Sequence, residues 1–271
     1  MTPQARQRRE AILAHVQERG HATVRALAEE CGVSAATIRR DLRALAEEGL
    51  LEVTHGGARI RRSTDYSFYS KNLRNPEAKE TIARLAAGCV ADGDQVFLGS
   101  GTTSYRLGAR LKGRRDVSVI VNSVRVAGEL DAPGVSVLML GGQYRCGRMD
   151  MVGPLALTAM EQFRGYIAFV GTDGLGRDFG VTASDVESAH LYRQAVKNAR
   201  ESIVIADSSK FAAPSLYRIV EWDAISRVVT DQEPDAQWRE IFQRHDIEVI
   251  CPETVSGEGA SGRQEEAGVS T

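Results

Sequence analysis

Short apolar segments alternate with amphipathic segments over most of this 271-residue chain, and this alternation restricts the fold more than any other feature. Seven apolar segments are predicted strands, at residues 95–98, 117–121, 135–140, 166–171, 202–206, 227–230 and 248–250. Six segments with helical periodicity are predicted helices, at residues 78–91, 103–111, 123–130, 155–163, 186–200 and 235–244. Apolar strands separated by helices assemble as a mostly parallel sheet that helices cover on both faces. Residues 77–252 are therefore predicted to form an open α/β domain.

A smaller domain, with three helices and a hairpin, is predicted ahead of the sheet over residues 1–60. Its helices are predicted at residues 3–19, 24–31 and 35–48, where apolar residues repeat at helical spacing. Thr23 and Ser34 are predicted to cap the second and third helices, and Gly32 permits the tight turn between them. Residues 50–53 and 58–60 are predicted to pair as strands around the sequence HGG at 55–57. This order of elements is that of a small winged helix-turn-helix domain.

The third helix is the part of this domain that is predicted to contact DNA. Ile38 and Leu42 are spaced to face inward, which leaves small and basic residues on the outside. Small residues let a helix approach base edges, and arginine binds guanine edges or phosphates. The predicted DNA contacts, including hydroxyls at helix starts and the histidine of the wing, are Thr23, Ser34, Ala35, Ala36, Thr37, Arg39, Arg40, Arg43 and His55. The alternative is a solvated arginine face on a protein-interaction module; the three spaced helices and the glycine-rich hairpin favour DNA.

The charge distribution agrees with a polyanion partner for the first domain only. Residues 1–62 hold eleven arginines, no lysine and eight acidic residues, a net charge of +3. Since the whole chain carries −2, the remainder carries −5. A basic start on an acidic body is a weak indication by itself, but its sign fits nucleic acid.

Polar and small residues follow several of the predicted strands and are predicted to form an effector site. The sequence GSGTT at residues 99–103 joins a strand to a helix, and such a loop presents backbone N–H groups to a phosphate. Loops at the carboxyl edge of a parallel sheet converge on one crevice. The predicted effector contacts are Ser100, Gly101, Thr102, Thr103, Asn122, Ser123, Gly141, Gly142, Asp173, Gly174, Glu187 and Lys210. Two alternatives stay open: a GSGTT turn that holds no ligand, and Lys210 as a surface lysine at a helix end.

Ordered motifs in both domains resemble the DeoR family of bacterial repressors of sugar metabolism. The motifs are VSAATIRRDLRAL at 33–45, THGGA at 54–58, SGTT at 100–103, NS at 122–123, LGG at 140–142, GTDG at 171–174 and DSSK at 207–210. The resemblance extends from residue 8 onward and leaves out only a linker and a tail. It implies a ligand-responsive repressor whose partners are operator DNA, a phosphorylated sugar or polyol, and further copies of the same chain as a homo-oligomer.

The sensor domain of that family resembles sugar-phosphate isomerases of the ribose-5-phosphate isomerase kind. Those enzymes continue the Asp-Gly motif with two acids, whereas Leu175 and Gly176 follow Asp173-Gly174 here. Isomerisation needs a placed base. Glu187 is the candidate for that base, but its position at a predicted helix start favours a contact with the ligand alone. We therefore expect binding without catalysis. An isomerase with an appended DNA-binding domain, and a DNA-binding scaffold with a vestigial domain, are the alternatives.

The remaining expectations concern linkers, tail and location. Residues 61–76 are predicted to be a linker and residues 253–271 a disordered tail. Neither a membrane-spanning segment nor a signal peptide is predicted, and the four dispersed cysteines are expected to be buried free thiols of a cytoplasmic protein without cofactor or metal. Arg145 and Arg148 are expected to be solvated loop charges rather than phosphate ligands. Residues 147–154 match no motif and receive no role.

Overall fold

The computed structural model describes residues 3–47, 51–59 and 68–252, in two compact units that divide between Pro76 and Glu77. The first unit contains α1 (Pro3–Arg19), β1 (His21–Thr23), α2 (Val24–Cys31), α3 (Ala35–Glu47), β2 (Glu52–Thr54), β3 (Gly57–Arg59) and α4 (Phe68–Leu73). The helix α4 falls within the predicted linker, of which residues 61–67 lie outside the described residues. The predicted tail at 253–271 lies outside them as well.

The first unit is the predicted trihelical domain, and its turn chemistry is confirmed. The Thr23 hydroxyl accepts a hydrogen bond from the Ala26 N–H at 3.2 Å, and the Ser34 hydroxyl accepts one from the Thr37 N–H at 3.2 Å. Gly32 ends α2 with φ of 62°, a left-handed conformation that costs glycine little. The apolar stripes of the helices meet in one core, which includes Ile12, Leu13, Val16, Leu27, Ile38, Leu42 and Leu45.

The wing is a three-stranded antiparallel sheet in the order β1-β3-β2. Thr54 pairs with Gly57, so the turn consists of His55 and Gly56 alone and the prediction that Gly57 belongs to the turn is wrong. A Cβ atom at Gly57 would lie 2.0 Å from the carbonyl oxygen of Ala22, which explains the glycine. Strand β1 was not predicted because it is three residues long and its last residue is also a helix cap. Residues 50 and 60 of the predicted hairpin lie outside the described residues.

In its described residues, the second unit contains six helices that flank a parallel sheet, and two short 3-10 helices. The helices are α5 (Pro76–Ala87), α6 (Thr102–Leu111), α7 (Val124–Glu129), α8 (Pro154–Glu161), α9 (Val186–Asn198) and α10 (Ala236–Arg244). The strands are β4 (Gln95–Leu98), β5 (Val117–Val121), β6 (Val135–Met139), β7 (Gln143–Arg145), β8 (Asp150–Val152), β9 (Ile167–Gly171), β10 (Gly174–Gly176), β11 (Gly180–Ala183), β12 (Glu201–Ile205), β13 (Tyr217–Val220), β14 (Arg227–Val229) and β15 (Glu248–Ile250).

Seven of these strands form the predicted parallel sheet, in the order β15-β14-β12-β9-β4-β5-β6. Each matches a predicted strand to within one residue at either end, and all adjacent pairs are parallel. Residues of α5, α6 and α7 pack on one face of the sheet, and residues of α8, α9 and α10 pack on the other. The α/β fold class is thus confirmed. The first of these helices starts at Pro76 and ends at Ala87 instead of spanning residues 78–91.

Two small antiparallel sheets in this unit were not predicted. The hairpin β7–β8 occupies much of the stretch that matched no motif, and β10, β11 and β13 form a second sheet. Both rely on glycines at close backbone contacts: a Cβ at Gly142 would lie 2.6 Å from the Val152 oxygen, and one at Gly174 would lie 2.2 Å from the Ala213 oxygen. Strands of three or four residues are too short to show the alternation that identifies longer strands.

The structure also bears on the cysteines and on membrane insertion. The four cysteines, all within the described ranges, form no disulfide. Cys251 is buried and Cys31 and Cys89 are partly buried, but Cys146 is exposed on the loop of the β7–β8 hairpin, so the expectation that all four are buried is wrong. No helix among the described residues has the length and apolar composition that a bilayer crossing requires. No group of three or more His, Cys, Asp or Glu residues in the described ranges is arranged to hold a metal ion.

Candidate functional site

The helix α3 separates its charges between an inner and an outer face. Asp41 is only 2% exposed, and its carboxylate accepts hydrogen bonds from Arg8 Nε at 2.7 Å and Arg9 Nε at 3.0 Å. On the other side, Arg39, Arg40 and Arg43 are exposed, and the described residues give them no hydrogen bond or ion pair. These three exposed arginines, which lack partners in the described part of the chain, are available to an external anion.

The other predicted DNA contacts lie in the same unit. The hydroxyls of Thr23 and Ser34 serve as helix caps, Thr37 pairs with the Ser34 hydroxyl at 3.0 Å, and His55 is exposed at the wing turn. Ala36 is exposed and Ala35 is half-buried at the start of α3. The Val24 N–H donates to the Gly56 oxygen at 2.9 Å, which fixes the wing turn to the start of α2. This bond therefore joins the wing turn directly to the helix-turn-helix.

In the second unit, the predicted effector residues lie at the carboxyl edge of the parallel sheet. Strand β9 separates β4 from β12, so the loop with Ser100 and the segment with Lys210 leave the same edge about 10 Å apart, two strand spacings. The loop with Asp173 lies between them, and the loops with Asn122 and Gly141 follow on the other side of β4. The sheet order thus brings the predicted loops to one edge.

The loop after β4 presents a row of backbone donors. Helix α6 begins at Thr102, and the first amide with an acceptor is that of Tyr105, which bonds to the Gly101 oxygen at 3.0 Å. The N–H groups of Gly101, Thr102, Thr103 and Ser104 have no acceptor among the described residues, and the last three of these residues are buried. The Ser104 hydroxyl is also buried without a partner there. The first N–H groups of a helix have no acceptor within the helix, and an anion at the helix N-terminus is one of the partners that satisfy them.

Gly99 and Gly101, the two glycines of this loop, occur there for different physical reasons. A Cβ at Gly99 would lie 2.8 Å from the ring of Tyr192, so that glycine is required by internal packing. At Gly101, a Cβ would meet only the Ser104 hydroxyl, at 3.6 Å, and the backbone has an ordinary φ of −75°. No atom of the described residues requires a glycine at position 101. Close approach of a ligand is the usual remaining reason for one.

Ser100 differs from its neighbours because both of its hydrogen-bond donors are already engaged. Its N–H donates to the Tyr192 hydroxyl at 3.0 Å, and its own hydroxyl donates to Asp150 Oδ2 at 2.8 Å. The predicted direct contact between Ser100 and an effector therefore has no free donor in this arrangement.

Arg145 and Arg148 are not solvated loop charges, contrary to expectation. Their side chains are only 18% exposed. Arg145 bonds to both oxygens of Asp150, at 2.8 and 2.7 Å, and to Asp185 Oδ1 at 2.7 Å. Arg148 bonds to the other oxygen of Asp185. The hairpin turns inward here because carboxylates from the start of α9 and from β8 itself neutralise the two cations.

The pKa shifts follow from this network. Burial works against the charged form of Arg145, but Asp150 and Asp185 outweigh it and raise the pKa of the guanidinium. Burial would likewise raise the pKa of Asp185, but the Ser188 N–H and the charges of Arg148 and Arg145 lower it to about 2. Burial raises the pKa of Tyr192 to about 12, so its hydroxyl is protonated at neutral pH.

The lowered pKa of Asp185 predicts an acid-dependent loss of stability. The stabilisation is fully present above the unfolded-state pKa near 4, and it is lost as pH falls toward 2; the shift corresponds to about 2 kcal/mol. Replacing Asp185 by asparagine, which can still cap α9, should lower the free energy of unfolding by about this amount at pH 7. Urea unfolding between pH 7 and pH 3 should show the difference narrowing with acidity. A constant difference would contradict the ionic origin.

Asn122 and its neighbours anchor the hairpin to the end of β5. The Asn122 Nδ2 donates to the Met151 oxygen at 3.0 Å, and the Met151 N–H donates to the Asn122 backbone oxygen at 2.7 Å. The Asn122 side-chain oxygen is fully buried and has no partner among the described residues. Ser123 caps α7 through a 3.4 Å bond. The predicted contact Gly141 is exposed beside these residues.

The remaining predicted residues lie after β9, in α9 and in the segment after β12. Asp173 accepts from the Ser184 N–H at 2.8 Å and hydroxyl at 2.7 Å. Glu187 stands 3.8 Å from Arg145 in the first turn of α9. Lys210 is half-buried in the 3-10 helix Ser208–Phe211 and, within the described ranges, has no ion-pair partner.

Sequence reasoning missed several polar residues at this edge. Asp150, Tyr192 and Asp185 hold the loops in place, and the buried Lys79 of α5 lies 3.8 Å from Asp207. Each pairs with residues far away in the chain, and no local pattern marks them. The one available signal was the pair of glycines on either side of the hairpin, Gly142 and Gly153, which both adopt a positive φ.

Comparison with known proteins gives the chain a family. A family model described as the DeoR-like helix-turn-helix domain matches residues 8–64, and one described as the DeoR C terminal sensor domain matches residues 74–232. Part of the chain also resembles ribose 5-phosphate isomerase A from Methanocaldococcus jannaschii, with 21% identity and a TM-score of 0.36 over 51% of this chain and 55% of that one.

Several relatives match along nearly their whole length, among them the following three. The lactose phosphotransferase system repressor of Lactococcus lactis is 33% identical over 89% of this chain and 96% of its own. The HTH-type transcriptional regulator GlpR of Haloferax volcanii is 32% identical over 92% and 98%, and the glycerol-3-phosphate regulon repressor of Escherichia coli is 27% identical over 90% and 98%. The resemblance predicted from the motifs is confirmed: the chain belongs to the DeoR family of transcriptional regulators.

Proposed function

We propose that this DeoR-family repressor controls a carbohydrate-utilisation operon and leaves its operator when a phosphorylated sugar or polyol binds at the carboxyl edge of the sheet. The observation that carries the effector assignment is the row of N–H groups from Gly101 to Ser104, which lack acceptors among the described residues. The names of two relatives, repressors of a lactose phosphotransferase system and of a glycerol-3-phosphate regulon, support the same chemical class.

In this proposal, the phosphate lies at the start of α6 and the rest of the effector extends over neighbouring loops. Lys210, which has no ion-pair partner in the described ranges, supplies positive charge from the end of β12. The buried oxygen of Asn122 accepts a hydrogen bond from an effector hydroxyl, which would satisfy an atom that otherwise lacks a donor. Thr102 and Thr103 add hydroxyl donors to the amides.

We propose binding without turnover, because the candidate bases are already engaged. An isomerase needs a carboxylate that is free to move a proton between adjacent carbons. Asp173 is held by Ser184, and Glu187 lies against Arg145. No observation at this edge favours the isomerase alternative.

On the DNA side, we propose that α3 enters the major groove with Arg39, Arg40 and Arg43 toward the duplex and that the wing with His55 follows beside it. A single recognition helix reads only a few base pairs, so two copies of the chain would occupy two related half-sites. The functional form is accordingly proposed to be a homo-oligomer.

The test is a thermal-shift screen of the full chain against sugar and polyol phosphates, each paired with its unphosphorylated counterpart. A bound effector stabilises the folded state by mass action, so we expect shifts from phosphorylated members only. The best member should then weaken binding to a duplex selected from random DNA by the protein, and the duplex should weaken effector binding by the same factor. Equal effector affinity with and without the duplex would refute effector-driven release. Turnover of a sugar phosphate would favour the isomerase.

A further inference from the structure

We propose that Asp150, on the hairpin β7–β8, is a positioning residue: it fixes Ser100 and thereby holds the N–H groups of residues 101–104 in the arrangement that receives a phosphate, without touching the phosphate itself. The inference rests on the effector role proposed above for the loop after β4. It gives a function to residues 147–154, which match no motif: the buried carboxylate of Asp150 in this stretch would support effector binding.

The carboxylate of Asp150 is fully buried and is held by three donors. Arg145 Nε donates to Oδ1 at 2.8 Å, Arg145 Nη2 donates to Oδ2 at 2.7 Å, and the Ser100 hydroxyl donates to Oδ2 at 2.8 Å. A buried carboxylate costs free energy unless it is paired and hydrogen-bonded, and an apolar pair of similar volume would often be at least as stable. Stability alone therefore does not account for a charged pair at this position.

The direction of each hydrogen bond follows from the available protons. A carboxylate only accepts, so the single hydroxyl proton of Ser100 points to Asp150. The 3.0 Å contact between the hydroxyls of Ser100 and Tyr192 must then use the Tyr192 proton. The Ser100 N–H in turn donates to the Tyr192 oxygen at 3.0 Å. Ser100 is thus fixed through both backbone and side chain, one residue before the unpaired amides.

Asp150 is not needed to keep the hairpin in place, because other bonds hold it. Met151 and Asn122 exchange bonds of 2.7 and 3.0 Å, and the Val124 N–H donates to the Met149 oxygen at 2.9 Å. Arg145 and Arg148 also remain paired with Asp185. Among the described residues, Asp150 alone forms a side-chain hydrogen bond between the hairpin and the loop after β4.

This network carries no net positive charge, so its contribution to anion binding is positional. Arg145 and Arg148 face Asp150 and Asp185, and the more exposed Glu187 also lies 3.8 Å from Arg145, so the network adds no net attraction for an anion at the start of α6. Affinity then comes from the amides, and their direction depends on Ser100. Removing the link should loosen the loop and weaken phosphate binding about tenfold.

The experiment is a double-mutant cycle on the binding of inorganic phosphate to the full chain, measured by isothermal titration calorimetry. Ser100→Ala and Asp150→Ala should each weaken binding about tenfold. The double variant should bind no more weakly than either single one, because Asp150 acts through Ser100. The matched control is Arg227→Gln, which breaks a similar pairing of one arginine with two carboxylates, Glu201 and Glu248, at the opposite edge of the sheet; it should leave phosphate affinity within about twofold.

The outcomes separate this inference from the proposed function. If the wild type binds phosphate and Asp150→Ala binds it equally well, or if the losses in the cycle add, the positioning role is refuted and the effector site stands. If the wild type binds no phosphate, both are refuted. Should Asp150→Ala fail to unfold cooperatively, the pair Arg145→Met and Asp150→Val, which removes both charges at a similar total volume, takes its place. If Asp150 is a positioning residue, this double variant should have wild-type stability but still bind phosphate about tenfold more weakly. If Asp150 only stabilises the fold, the variant should have wild-type stability and wild-type phosphate affinity.

Discussion

Replacing Arg39 and Arg40 together by alanine should weaken operator binding by about a hundredfold while the first unit stays folded. Each arginine that contacts a base edge or a phosphate accounts for about a tenfold change or more. Both side chains are exposed and, in the described part of the chain, have no partner, so their removal breaks no hydrogen bond or ion pair within it. Alanine is a good helix former, and the core residues Ile38 and Leu42 are untouched.

The measurement is fluorescence anisotropy with a duplex that the wild-type protein selects from random DNA, titrated at several salt concentrations. The slope of log affinity against log salt should become shallower by about 0.9 for each DNA phosphate that the variant no longer neutralises. The charge-matched control is Arg239→Ala with Arg244→Ala, two exposed arginines of α10 in the second unit. Wild-type affinity in the Arg39 and Arg40 double variant would show that α3 does not read the operator.

The parallel sheet could be predicted because burial leaves a direct trace in the sequence. A strand covered by helices on both faces is apolar at nearly every position, as in Val117–Val121, whereas a strand with one face in water alternates apolar and polar residues. Helix starts were predictable for a similar reason, because a cap such as Thr23 or Ser34 acts on its nearest neighbours in the chain. Information of this kind is local, and periodicity recovers it.

The network around Asp150 could not be predicted because its partners are distant in the chain. Ser100 bonds to a residue 50 positions away and to Tyr192, 92 positions away. An aspartate on a three-residue strand looks the same in sequence whether it is solvated or buried against an arginine. The expectation that Arg145 is solvated failed for this reason, since only the fold brings Asp185 to it.

The glycines at this edge of the sheet occur for two different reasons, internal packing and ligand access, which the sequence alone does not distinguish. Gly142 and Gly174 were predicted as effector contacts because they lie in loops at the sheet edge, but neighbouring carbonyl oxygens at 2.6 and 2.2 Å from a Cβ already require them. Gly99 is required by Tyr192 in the same way. Gly101 differs from all three, because no described atom of the protein prevents a side chain there.

This difference makes Gly101→Val the sharpest test of the effector site. A Cβ at this position has only the Ser104 hydroxyl nearby, at 3.6 Å, and the extended backbone of Gly101 is one that valine adopts easily. The chain should therefore fold, at a cost of about 1 kcal/mol for a poorer helix cap. The added methyl groups would occupy the space in front of the amides of residues 102–104, and we expect affinity for inorganic phosphate to fall about a hundredfold.

The matched control is Gly113→Val, just beyond the other end of α6, where a Cβ would also find open space. Calorimetric titration should show wild-type phosphate affinity for this control and next to none for Gly101→Val, while both variants bind the selected duplex as the wild type does. If Gly101→Val kept its phosphate affinity, the anion would have to bind elsewhere, and the amides at the start of α6 would have to be satisfied by water instead. The prediction thus depends on the contrast between two glycines of this loop. The ring of Tyr192 leaves no room for a side chain at Gly99, whereas at Gly101 only a bound ligand would compete with one for space among the described residues.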